Sequence, residues 1–289
     1  MKNILKKAVL PVAGMGTRFL PASKAIPKEM LPILDKPIVQ YAVEEAINAG
    51  IEEIIFITSP EKYSIEKHFL KNDEISKKLL NTNKEKYIEK LNPPIFDGIK
   101  FSYIDQTKQN GLGHAISLAK DAVGNQPFAV LLPDEIYLSK TSCMNQLLNI
   151  FQRTKSSVIA VKEINDKNIE KYGVIKPDQI KDKFTNILDI VEKPLMKNAP
   201  SKFAVCGRYI FVPEIFSHLS NTDFDINGEI QLTDGIRSLL KNEDVYACFY
   251  DGDKYDCGSK EGFVEATITF AIRENLINDK FKNILRDLD

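Results

Sequence analysis

With 289 residues, 39 Lys plus Arg against 40 Asp plus Glu and a formal net charge of −1, the chain lacks the basic surplus of a nucleic-acid-binding protein. Hydrophobic residues make up 43% and charged residues 27%, which excludes a disordered, collagenous or coiled-coil chain and supplies a real core. No apolar run reaches the length of a membrane span, and the short run after the N-terminal lysines reads as a core strand instead of a leader.

Residues 8–12 are that first predicted strand, and they end at a Gly-rich turn. Ile38, Tyr41, Ala42, Glu45, Ala46 and Ala49 follow helical spacing, with Glu45 the one polar exception, until Gly50 supplies a stop. Residues 54–58 read as a strand buried on both faces, and the Lys- and Glu-rich stretch 71–92 as a solvated helical excursion. Strand-like runs at 99–104, 128–132 and 157–161 alternate with helical stretches around 112–122 and 142–153. This spacing predicts right-handed βαβ units: an α/β, Rossmann-like fold with a central mixed, mainly parallel sheet flanked by helices. Shorter strands at 173–176, 187–191 and 205–211 follow, then helices around 229–241 and 262–277. No Pro/Gly/Ser linker separates the two stretches, so the chain reads as a single domain, 1–289, with its halves meeting at about 161/162.

The four cysteines, Cys143, Cys206, Cys248 and Cys257, form no CxxC pair, and His68, His114 and His218 complete no zinc spacing with them. They read as buried, reduced thiols of a cytoplasmic protein.

Ligands of open α/β sheets bind beyond the carboxyl ends of the strands, so the loops after Val12, Ile104 and Leu132 should share one cleft. The first of these loops, Ala13-Gly14-Met15-Gly16-Thr17-Arg18, lets the backbone approach a phosphate and adds a bidentate donor in Arg18. It is not a dinucleotide fingerprint, because Phe19 stands where the third glycine belongs, and no Gly-Lys-Ser/Thr follows to make a Walker A loop. Lys28 lies in a Pro27-Lys28-Glu29-Met30 element bounded by a second proline, Pro32, and a lysine on so rigid a loop reaches a polyphosphate at small entropic cost.

The segment from Gly14 to Tyr41 resembles the sugar-1-phosphate nucleotidyltransferases, and within them the bacterial enzymes that join UTP to glucose 1-phosphate; the resemblance runs from about Lys7 to about Phe270. It implies a nucleotide-diphospho-sugar transferase fold, with a nucleotide-binding half (1–161) and a sugar-binding half (162–289). It assigns the backbone of Ala13, Gly14 and Gly16 to the nucleotide, and Gln109 and Gly111, in Gln109-Asn110-Gly111-Leu112-Gly113, to the uracil. Leu132-Pro133-Asp134 resembles the element whose carboxylate holds Mg²⁺, and Tyr255-Asp256 the one that supplies a second metal ligand. Gly173, Glu192, Lys193 and Gly207 correspond to the sugar and sugar-phosphate contacts. Glu135 and Cys257 depart from the family, which carries Asp and commonly Thr there, and Glu135 is given no metal role. His114 reads as structural, since this chemistry has no step for an imidazole.

The implied reaction is in-line attack of the sugar phosphate on the α-phosphorus of UTP, giving UDP-glucose and pyrophosphate. Such a reaction needs no general base; it needs two polyanions brought together and their charge neutralised. Arg18 and Lys28 would serve the triphosphate, Lys193 the glucose phosphate, and Asp134 with Asp256 the magnesium ion. The same chemistry with dTTP or another hexose 1-phosphate, and an inactive regulatory homologue, remain the rival readings. Neither nucleic acid nor a membrane is an expected partner, and the family implies a homodimer or homotetramer.

Overall fold

The structure is a computed structural model that describes residues 5–180, 182–279 and 281. Its strands, in chain order, are β1 (Lys7–Pro11), β2 (Pro32–Ile33), β3 (Lys36–Pro37), β4 (Glu53–Thr58), β5 (Lys100–Asp105), β6 (Phe128–Leu131), β7 (Glu135–Leu138), β8 (Ser157–Glu163), β9 (Val174–Pro177), β10 (Phe184–Val191), β11 (Phe203–Phe211), β12 (Val245–Phe249) and β13 (Asp253–Asp256). Nine of them form one sheet in the order β5-β4-β1-β6-β11-β8-β12-β10-β9, while β13 pairs with β7 and β2 with β3.

The first four strands of that sheet are mutually parallel, as βαβ connections require. β10 and β11 run against the others. At the far edge the sheet curls until β9 meets β11 at Val174 and Ala204. Strands from both halves of the chain therefore share one sheet. Its faces are near-continuous apolar surface: β6 is buried at every residue, and so are Ile54 to Thr58 of β4. One core cluster lies where the helices Ile38–Asn48 and Cys143–Thr154 cover the sheet. The other lies under the helices Gly111–Ser117, Ile215–Ser220 and Leu232–Leu239. Among the described residues no helix is long and apolar enough to cross a membrane.

The structure redraws several expected elements. The single helix expected over 112–122 breaks into Gly111–Ser117 and Lys120–Val123. The helix expected from 229 starts only at Leu232, because residues 229–231 are extended against the loop after β5. The helix expected around 262–277 runs Lys260–Arg273. The strands β7 (EIYL), β12 (VYACF) and the polar β13 (DKYD) lie outside the expected set. The excursion at 71–92 does contain two exposed helices, Asp73–Asn81 and Ile88–Leu91. All four cysteines are buried and free.

A charged group sits in the middle of this core. Arg208, on β11, is 1% exposed. Its Nε donates to Glu45 Oε2 at 2.9 Å, Nη1 to the Leu132 carbonyl at 2.8 Å and Nη2 to the Glu135 carbonyl at 2.9 Å. The guanidinium also stacks over Tyr137. Arg208 thus binds the first core helix and the turn after β6 to the antiparallel part of the sheet. Removing one partner of such a pair strands the other in the interior. Arg208→Met should therefore lower unfolding stability by about 3–5 kcal/mol, read from urea unfolding; a loss under about 1 kcal/mol would mean that Glu45 is not held by this contact.

Candidate active site

Because β1, β5 and β6 run parallel in one sheet, the loops that leave their carboxyl ends meet. They line a cleft of about 580 Å³ formed by Ala13 to Arg18, Lys28, Gln106, Gln109, Gly111, Asp134 and Gly258, among others. A second cleft of about 540 Å³ holds Glu192 and Lys193 with Asp225, Asn227, Asp234 and Arg237, and Glu229 lines both. Of the thirteen residues singled out in the sequence, Ala13, Gly14, Gly16, Arg18, Lys28, Gln109, Gly111 and Asp134 line the first cleft, and Glu192 and Lys193 the second.

The glycine loop is held open by its own geometry. Gly16 takes φ +67°, the left-handed region that glycine enters freely, while a side chain at Gly14 would point into empty space. Arg18 follows in a single 3₁₀ turn, Thr17–Phe19, and its Nη1 is anchored on the Gly258 carbonyl at 3.4 Å. Gln109 crosses to the same loop and donates through Nε2 to the Ala13 carbonyl at 2.9 Å. One Nε2 hydrogen and the whole Oε1 acceptor are left.

Gly111 and Gly113 serve a different contact. Gly113 N donates to the Ile230 carbonyl and Ile230 N to the Asn110 carbonyl, both at 2.8 Å. Gly111 has φ +93°, and a Cβ there would lie 2.8 Å from the Ile230 oxygen, so only glycine admits this approach. The segment after β5 and the segment that carries Glu229 are clamped together. Nearby, His114 Nδ1 accepts from the Gln106 amide at 2.9 Å, the structural role expected of it.

The charged residues neutralise one another across the first cleft. Lys28 Nζ lies 2.5 Å from Asp134 Oδ2. Burial opposes both charges, yet Asp134 and then Glu29 hold the Lys28 pKa above the ordinary lysine value. Lys28, with Arg18 farther off, holds the Asp134 carboxyl below the usual carboxylate range. Asp256 goes the other way: burial, reinforced by Asp134 and Glu135, raises its pKa. A Cβ added at Gly258 would lie 2.8 Å from Asp134 Oδ2 and 3.0 Å from Asp256 Oδ1, so the two carboxylates crowd one bare spot beside the cleft. That is a donor pair of the hard, oxygen kind magnesium prefers, with the Lys28 ammonium standing in as its counter-cation.

In the second cleft, Thr233 Oγ1 donates to Glu192 Oε2 at 2.6 Å, and Lys193 Nζ lies 3.3 Å from Glu192 Oε1. Lys193 adopts φ +41°, an uncommon conformation for a residue with a side chain. Gly173 faces this pair from below, where a Cβ would come within 3.2 Å of Glu192 Oε2. Gly207 is placed apart. It lies inside β11, where a Cβ would come 2.7 Å from Leu132 Cβ, and its N–H donates to Glu135 Oε2 at 2.8 Å. Glu135 also accepts from Tyr137 Oη and pairs with Lys254 at 3.4 Å, so its carboxylate is engaged below the cleft floor.

Four participants carried no sequence signal: Thr233 behind Glu192, Glu229 between the clefts, Lys254 under Glu135, and Lys62. The last lies buried beneath the glycine loop, where its Nζ contacts Glu29 at 2.8 Å.

The carboxylate pair makes a pH prediction. The Asp256 carboxyl has a raised pKa when folded, so its ionised form costs stability; that cost is present at neutral pH and vanishes once the pH falls below the unfolded carboxylate value of about 3.9. In the presence of a chelator, Asp256→Asn should melt above the parent protein at pH 7, and the gain should disappear toward pH 3. An unchanged or lowered Tm at pH 7 would refute the repulsion.

A profile of the nucleotidyl transferase family matches residues 7–271. The chain is similar to the UTP–glucose-1-phosphate uridylyltransferase of Staphylococcus epidermidis, with 45% identity over 289 residues and 100% of both chains covered. The structure of UDP-glucose pyrophosphorylase complexed with UDP-glucose superposes with a TM-score of 0.85 at 40% identity, over 93% of this chain and 99% of that one. The UTP-bound UGPase from Acinetobacter baumannii superposes with a TM-score of 0.90 at 36% identity, over 99% of this chain and 100% of that one.

Proposed function

The chain belongs to the nucleotidyl transferase family, and from that premise we propose that it transfers the uridylyl group of UTP to α-D-glucose 1-phosphate, giving UDP-glucose and pyrophosphate. The observation that carries this reading is the joining of the two clefts at Glu229, one lined by a cationic glycine loop and an amide reader, the other by a carboxylate and a lysine. Relatives matched over their full length are named for this reaction.

A phosphate oxygen of glucose 1-phosphate forms the new bond to the α-phosphorus, and the bond to the bridging oxygen of pyrophosphate breaks. The attacking phosphate oxygen is already anionic at neutral pH, so the protein has no proton to remove. Its residues instead hold and neutralise. The loop from Ala13 to Arg18 receives the triphosphate with backbone amides and the guanidinium. Lys28 exchanges its partner Asp134 for phosphate oxygens. Glu192, fixed by Thr233, accepts hydroxyl hydrogens of the sugar, and Lys193 takes the sugar phosphate. Asp134 and Asp256 would hold Mg²⁺, which when bound supplies charge neutralisation to phosphate oxygens.

Base selection follows from the free edge of Gln109. Its remaining N–H and its Oε1 complement O4 and N3–H of uracil, and cytosine inverts that pair. Groups left unpaired cost about 1–3 kcal/mol each, roughly 10–100-fold. We expect kcat/KM for UTP to exceed that for CTP by at least that factor, with dTTP detectable because thymine differs by a methyl alone. A four-nucleotide assay of pyrophosphate release in which CTP matched UTP, or dTTP surpassed it, would overturn the uridylyl assignment. Independently, Lys193→Ala should lose roughly 2–4 kcal/mol of transition-state stabilisation, seen as a raised KM for glucose 1-phosphate and a lowered kcat, with the KM for UTP nearly unchanged. Near-parental kinetics would remove Lys193 from the sugar-phosphate site.

A further inference from the structure

Lys62 is a buried ammonium that touches no reacting group. It closes the turn Pro60–Lys62 after β4 and is 9% exposed. Its three hydrogens meet three acceptors: the Val12 carbonyl, the Gly14 carbonyl at 2.6 Å and Glu29 Oε2 at 2.8 Å. Two of these acceptors are alternate carbonyls of the glycine loop, and the carbonyl between them, Ala13, is held by Gln109.

A trans peptide points its carbonyl and its N–H to opposite sides. With the Val12 and Gly14 oxygens drawn down onto Lys62, the N–H groups of Ala13 and Met15 are turned to the opposite face of the loop. Among the described residues, the N–H groups of Ala13, Gly14, Met15 and Gly16 have no partner within the protein. Ala13 and Met15 both line the cleft. The two alternate amides of Ala13 and Met15, presented on one side, offer hydrogen-bond donors to an anion. A buried ion pair is also a poor way to gain stability, since apolar residues of similar size do as well or better. What Lys62 supplies that they would not is direction: it fixes which side of the loop is donor and which is acceptor.

We propose that Lys62 is a positioning residue for the triphosphate, turning the loop carbonyls away from the cleft so that its amides face the phosphate oxygens. The identity of the phosphate donor rests on the function proposed above; the polyphosphate preference of the loop does not. Two variants test the role: Lys62→Met, and Lys62→Met combined with Glu29→Gln, which leaves no stranded carboxylate. Each is checked for folding by circular dichroism, titrated calorimetrically with inorganic tripolyphosphate, and assayed for both KM values. The expected result is a loss of tripolyphosphate affinity of at least tenfold and a parallel rise in the KM for UTP, with the KM for glucose 1-phosphate moving less than twofold. A smaller loss in a folded variant, an equal rise in both KM values, or loss of the fold in both variants would overturn the proposal, because each makes Lys62 a general stabiliser. Failure of the parent protein to turn over UTP with glucose 1-phosphate would sink the proposed reaction, while the tripolyphosphate titration would still decide the part played by Lys62.

Discussion

Two parallel strands that end side by side determine almost everything in this molecule. β1 pairs in parallel with β4 on one side and β6 on the other, with Val9 opposite both Ile55 and Val130. Three segments therefore leave the sheet at one end, where the first cleft opens. The glycine loop after β1 and the Pro133-Asp134 turn after β6 must then be neighbours, which is why Lys28 and Asp134 meet although 106 residues separate them. The core buries its strands on both faces, so the ends of those strands cannot shift without breaking ladders and packing together. A site assembled from loops inherits the rigidity of the strands beneath.

The site is also balanced in charge before any ligand enters. Arg18, Lys28 and Lys62 face Glu29, Asp134 and Asp256 within one neighbourhood. Burial shifts the Glu29–Lys62 pair toward neutrality on both sides, raising the carboxyl and lowering the ammonium. The Lys28–Asp134 pair at the cleft wall is shifted the opposite way and keeps its charges. On the proposed reaction, the outer pair would give way to a polyanion and its counter-cation while the inner pair stays closed.

The sequence made legible those residues whose role is local. A glycine loop after a strand, a lysine between prolines and an aspartate after an apolar run each announce themselves within a few positions, and all of them reached the cleft. Residues that act through distant partners stayed silent. Glu45 and Arg208 are 163 positions apart, Lys62 and Val12 are 50, and Thr233 and Glu192 are 41. No window spans such pairs, and a buried arginine looks like any surface arginine until its strand is placed. Gly207 shows the converse: a glycine assigned to the sugar by motif lies against Leu132 within a strand. The β7–β13 ribbon was invisible because its residues alternate weakly and its partner lies more than a hundred positions away.

The clamp between Asn110, Gly113 and Ile230 has an evolutionary consequence. On the proposed assignment, the segment that reads the base and the segment that borders the sugar are fastened together by two backbone hydrogen bonds and two glycines without room for side chains. On that assignment, acceptor choice and nucleotide choice would not be separable traits. A drift in residues 229–234 toward a different hexose would then drag Gln109 with it, and a chimaera that borrows the sugar segment from a relative would have to borrow residues 109–113 as well. Diversification of such a scaffold would proceed by paired replacements, each side constraining single exchanges on the other.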